Sequence, residues 1–338
     1  MSTDLTLASS RTGETTSPRT PVTVVTPSYN QVDFVGRTVE SVLGQTGDPI
    51  VARHLDVRYV VADGNSTDGS AAVLRRYADR LDGLLVEDDR GQSDAIVKAI
   101  GDAGEGWFGW INSDDYYHPG TFARLAHHPN ADLVAMPVRV VGDGADYVIR
   151  PRRLSAAAML RDDRYAFAQP GLFFKLDRLI ACGGIDTNLN YGFDWDLLVR
   201  YLADGPSIAY DDHVAATFTV HPQSKTFIET QDGSVHSERV AGRFDDENRR
   251  IRDKLDAMLP PRLVRANRLG RRRIGWHRRL VRVLDDYEAS PLAASWWLMR
   301  ESVEDPHARM TKRTASAVIR LMSRYVRPRR SWDKTRRN

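Results

Sequence analysis

Short, mostly apolar strands alternate with amphipathic helical segments along the first part of the chain, and this alternation constrains the fold more than any other feature. Strands joined in sequence through helices run parallel with right-handed crossovers. We therefore expect an α/β fold with a mostly parallel sheet flanked by helices. Strands are predicted at 22–26, 57–62, 83–86, 107–111, 132–136, 138–141, 147–149, 172–174 and 217–220, and helices at 34–43, 70–81, 95–103 and from 193 onward.

Polar or acidic side chains follow each of the first four strands. The fourth strand ends at two adjacent carboxylates, Asp114 and Asp115, and the earlier strands lead to Asn30, Asp63 and Asp94. Any one of these residues is explained by capping or turn formation alone. In a parallel sheet, however, the carboxyl ends of the strands share one edge, where ligands bind. Because paired carboxylates suit Mg²⁺ or Mn²⁺ carried with a diphosphate, we expect a metal-assisted site at this edge.

The cysteine content and hydropathy limit the compartment. The single cysteine, Cys182, excludes an internal disulfide framework and a cysteine-based zinc site. The chain has no run of about 18 to 20 apolar residues that could span a membrane, and its start lacks an apolar signal-peptide core. We therefore expect a cytoplasmic protein. Residues 1–20, rich in Ser, Thr and Arg, are expected to be a disordered leader.

Charge is distributed unevenly along the chain. Residues 251–338 contain 23 Lys and Arg against 9 Asp and Glu, whereas the whole chain has a net charge of only +3. We expect a body at 21–245 and a basic helical region at 246–338. The basic region suits helices lying on an anionic membrane surface, and it equally suits a helical subdomain packed on the body. No nucleic-acid partner is expected, because no recognised nucleic-acid module accompanies the charge.

The polar segments between the strands resemble the motifs of the family 2 glycosyltransferases, which have the Rossmann-like GT-A fold. The resemblance covers about three fifths of the chain. It rests on Thr-Pro-Ser-Tyr-Asn at 26–30, Asp-Gly-Asn-Ser-Thr-Asp-Gly-Ser at 63–70, Gly-Gln-Ser-Asp-Ala at 91–95, Asn-Ser-Asp-Asp at 112–115, Gln-Pro at 169–170, Gly-Gly-Ile-Asp at 183–186, Phe-Asp-Trp-Asp-Leu at 193–197 and His-Pro-Gln-Ser-Lys-Thr at 221–226.

The resemblance implies an inverting transfer of a sugar from a nucleotide diphosphate, most simply a UDP- or dTDP-sugar, to a hydroxyl of a cell-envelope, lipid-linked or polysaccharide acceptor. It implies a divalent metal, Mg²⁺ or Mn²⁺, held mainly by Asp115 together with His221. The donor-binding residues that it implies are Thr26, Pro27, Tyr29, Asn30, Asp63, Asp94, Asp114 and Lys225. Asn112 stands where the family more often has the first acid of its metal motif.

On the acceptor side, Asp194 occupies the position of the family's catalytic base, although Phe193 replaces the Glu that usually precedes it. Both Asp194 and Asp196 fall in the first turn of a helix, where the helix dipole alone favours a carboxylate. Gln169, Trp195 and Asp196 are expected to line the acceptor side.

Two other functions fit parts of the same pattern. The first is a protein that keeps the fold and binds nucleotide sugars without catalysis, and the joint presence of Asp115, Asp194 and His221 argues against it. The second is a nucleotidyltransferase, which uses a similar acidic site. Segment 26–30 lacks the glycine-rich, basic loop that would hold a triphosphate.

Overall fold

A computed structural model describes residues 18–161, 167–222, 224, 235–286, 291–311, 314–316 and 319. Its strands form two sheets, a larger central one and a smaller one beside it. The strands are β1 Thr20–Ser28, β2 Leu55–Asp63, β3 Gly83–Val86, β4 Trp107–Trp110, β5 Tyr116–Tyr117, β6 Leu133–Ala135, β7 Val138–Gly142, β8 Ala145–Ile149, β9 Leu172–Lys175, β10 Ile208–Tyr210 and β11 Ala216–Thr219.

The central sheet has seven strands in the order β10-β6-β9-β4-β1-β2-β3. Strand β1 pairs in parallel with both β2 and β4, β2 pairs in parallel with β3, and β6 pairs in parallel with β10. Strand β9 is antiparallel to both of its neighbours. The prediction of a mostly parallel sheet is confirmed. The smaller sheet has the order β5-β11-β7-β8 and lies beyond the end of β4 in sequence.

Helices cover both faces of the central sheet, because neighbouring residues of β1 point to opposite sides of it. Val24 belongs to one core cluster with Val39 and Leu74, whereas Val25 belongs to a second cluster with Ile96 and Leu197. The helices are α1 Val35–Leu43, α2 Pro49–His54, α3 Ser70–Arg75, α4 Gln92–Ile100, α5 Thr121–Ala126, α6 Ala156–Arg161, α7 Leu176–Ala181, α8 Phe193–Ala203, α9 Val235–Met258, α10 Pro261–Asp286, α11 Pro291–Glu304 and α12 Pro306–Arg309.

Two helices differ from the sequence predictions. The helix expected at 70–81 ends at Arg75 and continues as a separate 3₁₀ turn, Ala78–Arg80. Helix α2 was not predicted. Its start follows from Asp48, whose carboxylate accepts a hydrogen bond of 2.8 Å from the Ile50 amide, and from Pro49 in the first turn.

The C-terminal helices α9 and α10 pack on the body of the protein. Ile251, Leu255 and Leu263 are at least 95% buried and belong to the same core cluster as α8. Helix α10 crosses α6 so closely that a Cβ on Gly270 would overlap the carbonyl oxygen of Leu160. Packing on the body is therefore observed for these two helices. No helix in the described segments combines the length and the apolar character needed to cross a bilayer.

Candidate active site

The carboxyl ends of the parallel strands meet at one edge of the sheet. Ser28 at the end of β1 pairs with Asp63 at the end of β2, and Asp63 pairs in turn with Val86 of β3. Trp110 at the end of β4 pairs with Val25 of β1. The loops that carry the sequence-predicted donor residues therefore start side by side, as expected from the parallel order.

The first two of these loops are tied together by their own polar side chains. Asp63 is buried, and its carboxylate accepts hydrogen bonds of 2.8 and 2.7 Å from the amide and hydroxyl of Ser66. Asn30 has a positive φ of 52° and accepts a hydrogen bond from the Thr67 amide at 2.9 Å. Thr26 is buried and bonded to the Tyr59 hydroxyl at 2.9 Å. Thr26, Asn30 and Asp63 thus shape the loops.

An open surface lies above this scaffold. The ring of Tyr29 is 61% exposed, and a Cβ on Gly64 would be only 3.3 Å from Cδ2 of that ring. The same Cβ would lie 2.5 Å from an Asp89 carboxylate oxygen. Gly64 is itself buried beneath these two side chains, and an exposed aromatic ring close to a carboxylate suits a nucleobase, which stacks on rings and donates N–H groups. Pro27 is the residue of β1 that leads into this surface.

Asp94, predicted to bind the donor, lies in the first turn of α4 and is buried. Its carboxylate accepts hydrogen bonds from Arg90, the shorter at 2.7 Å, and lies 3.5 Å from the Lys98 ammonium. The hydrogen bond from Arg90 is the largest cause that lowers the pKa of Asp94. Asp94 therefore anchors Arg90, whose side chain is 68% exposed and stands at this edge without having been predicted.

Asp114 and His221, which are 107 positions apart, contact each other. The Asp114 carboxylate lies 3.0 Å from Nε2 of His221. The imidazole stacks on Phe34 at 4.6 Å between ring centroids, and its backbone amide donates to the Ser224 hydroxyl at 3.0 Å. The loop that carries Asp114 and Asp115 therefore lies beside His221, and the prediction that Asp115 and His221 share a metal stays a prediction. Lys225, predicted to bind the donor phosphates, lies outside the described residues.

Asp115 is fully buried, whereas Asp114 is partly exposed. Its side chain is 0% exposed, and one carboxylate oxygen accepts a hydrogen bond of 2.8 Å from the Thr219 amide. Burial, and after it the charge of Asp114, raises the pKa of Asp115 well above its usual range. Its other carboxylate oxygen is buried without a hydrogen-bond partner among the described residues, an environment that suits an oxygen binding a cation, so the assignment of Asp115 as the main metal ligand stays a prediction. The carboxylate that contacts His221 belongs to Asp114.

The spacing of Asp114 and His221 suits a divalent metal ion. Octahedral Mg²⁺ binds its ligands at about 2.0–2.1 Å, which places adjacent ligand atoms about 3 Å apart. The Asp114 and His221 atoms are 3.0 Å apart and partly accessible, with 17% and 9% of their side chains exposed. The described residues contain no group of three or more acidic, His or Cys side chains around a single point. The pair can supply two protein ligands, and the remaining positions suit water and diphosphate oxygens.

Asp194 lies in the first turn of α8 and is half-buried. Its carboxylate accepts a hydrogen bond of 2.7 Å from the Trp195 amide. Burial raises the pKa of Asp194 to about 6, and the nearby charge of Glu247 adds to this effect. A carboxylate with a pKa near neutrality can take a proton from a hydroxyl more readily than an ordinary Asp can.

Asp196 has a different environment, which corrects its assignment to the acceptor side. It is 0% exposed, and one oxygen bonds both to the Arg200 guanidinium at 2.7 Å and to the Lys254 ammonium at 2.9 Å. Lys254 also bonds to Asp186 at 2.7 Å. Asp196 therefore belongs to a buried ionic cluster that links α8 to α9. Of the two carboxylates in this turn, Asp194 has no ion-pair partner among the described residues and is the more exposed.

Trp195 and Gln169 also lie inside the protein rather than on an acceptor surface. Trp195 is 5% exposed and packs under the Arg252 guanidinium, which is 5.0 Å above its ring. Gln169 is 8% exposed and donates to the carbonyl oxygen of Trp110 at 2.6 Å. Phe193, in the place of the expected Glu, is 4% exposed and packs against Trp110. The expectation that Trp195 and Gln169 line the acceptor side is therefore corrected: both support the site from below.

This arrangement of strands, acidic loops and a half-buried carboxylate agrees with the comparison to sequence families. The sequence profile described as "Glycosyl transferase family 2" matches residues 23–184. The segment 23–184 therefore resembles glycosyltransferase family 2. The matched segment contains the loops that follow β1 to β4 and ends before α8, which carries Asp194.

Two bacterial relatives resemble this chain over shorter segments. It is 33% identical over 97 residues to the "Putative teichuronic acid biosynthesis glycosyltransferase TuaG" of Bacillus subtilis, over 28% of this chain and 36% of the relative. It is 31% identical over 111 residues to the "Succinoglycan biosynthesis protein ExoO" of Rhizobium meliloti, over 32% of this chain and 30% of the relative. The chain spans about a third of the length of these relatives.

A solved structure extends the likeness to nearly the whole chain. The structure of S. aureus TarS 1-349 in complex with UDP-GlcNAc superposes with a TM-score of 0.50 and 13% sequence identity. The superposition covers 90% of this chain and 91% of that chain. At this identity the likeness concerns the fold, which is the GT-A arrangement expected from the sequence.

Proposed function

We propose that the protein is an inverting, metal-dependent glycosyltransferase that moves a sugar from a nucleotide diphosphate to a hydroxyl of a polysaccharide or lipid-linked acceptor. The observation that carries the proposal is that two polar groups follow from the end of β4. The first is the contact between Asp114 and His221, and the second is the half-buried Asp194, which follows Phe193 where that ring packs on Trp110 at the end of β4. The names of two relatives, which refer to teichuronic acid and succinoglycan biosynthesis, support a polysaccharide acceptor.

In this proposal Asp194 is the general base. Inversion requires that the acceptor hydroxyl attacks the anomeric carbon from the side opposite the diphosphate while a carboxylate removes its proton. Asp194 suits this task because its pKa, raised by burial to about 6, leaves it ionised at neutral pH and basic enough to accept a proton. Asp196 does not suit it, because Arg200 and Lys254 already bind its carboxylate.

Asp114 and His221 would hold the divalent metal, which supplies Lewis-acid stabilisation of the leaving diphosphate. Arg90 stands on the donor side as an exposed cation held in place by Asp94. It would add a second positive charge close to the phosphates. The exposed ring of Tyr29, close to the Asp89 carboxylate, would receive the nucleobase.

The test is release of nucleotide diphosphate from a panel of UDP-, dTDP- and GDP-sugars, with Mn²⁺ or with EDTA. We expect turnover of one donor that EDTA abolishes. Asp114→Asn and Asp194→Asn should each reduce turnover by about 10² to 10⁴-fold, the usual contribution of such groups. Asp102→Asn, which removes an exposed carboxylate between α4 and β4, is the matched control and should leave turnover unchanged.

Three outcomes separate the parts of the proposal. Binding of a donor without any turnover would favour a nucleotide-sugar-binding protein. Turnover that resists EDTA would contradict the metal, and unchanged turnover in Asp194→Asn would contradict the base.

We also propose that the enzyme contacts an anionic membrane surface from the cytoplasmic side through α11. Trp296, Met299 and Val303 lie at helical spacing on α11, and their exposed fractions are 63%, 51% and 74%. Arg300 on the same helix is 62% exposed at its side chain. Exposed apolar side chains at helical spacing suit a helix that lies in a membrane interface, and Arg300 is the one cation of α11, beside Glu301 and Glu304.

Co-sedimentation with vesicles tests this contact. We expect the protein to bind vesicles that contain anionic lipid, and Trp296→Ala combined with Val303→Ala to weaken binding several-fold. Tyr147→Ala, which removes an equally exposed ring from β8, should bind like the wild type. Equal binding by all three proteins would contradict the contact.

A further inference from the structure

Glu247 of α9 is buried against the segment that leads into the candidate base. It is 2% exposed, and its two carboxylate oxygens accept three backbone hydrogen bonds. One oxygen accepts from the amides of Tyr191 and Gly192 at 2.6 and 2.7 Å, and the other accepts from the Asn190 amide at 2.8 Å. Each is a charge-assisted bond to a carboxylate, and such bonds are about twice as strong as neutral ones.

These three amides precede the first turn of α8, which has no capping side chain of its own. Gly192 is the N-cap residue of α8, and a glycine has no side chain that could accept from the first amides. Glu247 thus holds, from a different helix, the three residues that lead into α8. A Cβ at position 192 would lie 2.9 Å from the terminal Cδ1 of Ile251, so a larger residue there would displace that side chain.

Segment 189–192, which Glu247 holds, also contacts the start of α4 on the donor side. The Ser93 hydroxyl donates a hydrogen bond of 2.6 Å to the carbonyl oxygen of Leu189. A Cβ on Gly91 would overlap the side-chain amide of Asn190, and Gly91 has a positive φ of 119°. Segment 189–192 is therefore held between the start of α4 on one side and Glu247 on the other.

We propose that Glu247 is a positioning residue for catalysis, which fixes the start of α8 and thereby sets the place and the electrostatic environment of Asp194. This inference rests on the proposed function of Asp194 as the base. The usual Glu of the motif is absent at Phe193, whose side chain lies in the core. Glu247 supplies a carboxylate to the same turn from outside it, some fifty positions later in the sequence.

The charge of Glu247 has a second consequence. It adds to the effect of burial in raising the pKa of Asp194. The charged groups that face Glu247 itself are Asp194 and Arg250, and the Arg250 guanidinium is 3.9 Å away and 67% exposed at its side chain. A neutral side chain at position 247 should therefore weaken the base as well as loosen its segment.

The test compares Glu247→Gln with Asp246→Asn in the full-length protein. Glutamine keeps one carbonyl oxygen for Tyr191 and Gly192 but presents an amide nitrogen to the Asn190 amide, so one bond is lost. Asp246 is 71% exposed at its side chain and precedes Glu247 on the same helix, so its variant removes one charge and no backbone bond. Turnover of the donor, as a function of pH from 5 to 8, is the first measurement.

We expect Glu247→Gln to lower kcat by about tenfold, and Glu247→Ala by up to about 100-fold, the cost of misplacing a catalytic group by about 1 Å. The donor KM should stay within about twofold, because the residues that would bind the donor lie in other loops. The acidic limb of the kcat profile should move to lower pH in Glu247→Gln and stay in place in Asp246→Asn. Asp194 remains buried in the variant, so the midpoint of the acidic limb should stay above the ordinary pKa of Asp.

Two readouts do not depend on turnover. Hydrogen exchange should become faster at the amides of 190–192 in Glu247→Gln and stay unchanged in Asp246→Asn. A ¹³C NMR titration of the Asp194 carboxyl, assigned with Asp194→Asn, should show a lower pKa in Glu247→Gln. Unchanged exchange, or an unchanged Asp194 pKa, would overturn the inference. A wild type that turns over no donor would instead refute the proposed function. The exchange and NMR results would still show whether Glu247 holds segment 190–192 and raises the pKa of Asp194.

Discussion

Replacing the candidate base with its isosteric amide should inactivate the enzyme and stabilise the fold. Asp194→Asn keeps an oxygen that can accept from the Trp195 amide, which Asp194 does at 2.7 Å. It removes a carboxylate that the protein buries at a cost. Because Asn cannot accept a proton from the acceptor hydroxyl, turnover should fall by about 10² to 10⁴-fold.

The stabilisation follows from the pKa of Asp194. Folding raises this pKa from 3.8 to about 6. Between these values the folded state holds a proton that the unfolded state releases, so the stability of the wild type falls as pH rises through this window. The full difference corresponds to about 3 kcal/mol above pH 6, which solvent at a half-buried group reduces to about 1–2 kcal/mol. At pH 5 roughly half of this free-energy cost of burying the ionised Asp194 carboxylate is present.

The assay is urea or thermal unfolding of wild type and Asp194→Asn at pH 5 and pH 8, with turnover measured on the same samples. We expect the variant to be more stable at both values and its advantage to be about twice as large at pH 8. The wild-type kcat should rise about tenfold per pH unit below pH 6 and level off above it, because only the ionised carboxylate acts as a base. A variant less stable than the wild type at pH 8 would refute the argument that burial strains this carboxylate.

Three further predictions concern other described residues. Asp114→Asn and Asp115→Asn should each lower Mn²⁺-dependent turnover by about 10²-fold or more, because Asp114 contacts His221 and Asp115 has a buried carboxylate oxygen without a hydrogen-bond partner among the described residues; full turnover in either variant would exclude that residue as a ligand. Asp196→Asn should lower stability by about 3–5 kcal/mol in urea unfolding, since it leaves the buried Arg200 guanidinium beside a neutral group; a loss below 1 kcal/mol would show that the cluster is readily hydrated. Gly270→Ala should lower the unfolding temperature while the far-UV spectrum stays helical, because its Cβ would overlap a carbonyl oxygen of α6; an unchanged temperature would contradict the close crossing of α10.

The sheet was largely predictable because its signal is local. Runs such as β2 and β4 are apolar, short and followed by polar loops, and they alternate with amphipathic helices. The parallel arrangement then follows from chain connectivity. The antiparallel insertion of β9 between β4 and β6 depends on long-range pairing, which a strand pattern does not encode.

The candidate site was predictable only as a set of residue types. Family resemblance selected Asp114, Asp194 and His221, and the structure brings Asp114 and His221 into contact. It also selected Trp195 and Gln169, which are buried. The difference arises because a motif gives the position of a side chain in sequence, whereas its direction depends on how α8 packs on the sheet and on α9.

Glu247 was missed for a related reason. The content of Arg and Lys rises after this residue, and the helices that follow were interpreted only from their net charge. The available signal was a single acid four positions before Ile251 and eight before Leu255, which places all three on one face of a helix. An acid on the apolar face of a helix indicates a buried partner, and the three backbone amides of 190–192 are that partner.

The carboxylates around the site have the same chemistry and differ in what surrounds them. Asp94 is bound by Arg90, and Asp196 is bound by Arg200 and Lys254. Asp194 has no ion-pair partner among the described residues, accepts a neutral amide and lies near a second carboxylate. The hydrogen bond from Arg90 lowers the pKa of Asp94, whereas burial and the nearby charge of Glu247 raise the pKa of Asp194. The fold therefore distinguishes a base from structural acids by where it places Arg and Lys.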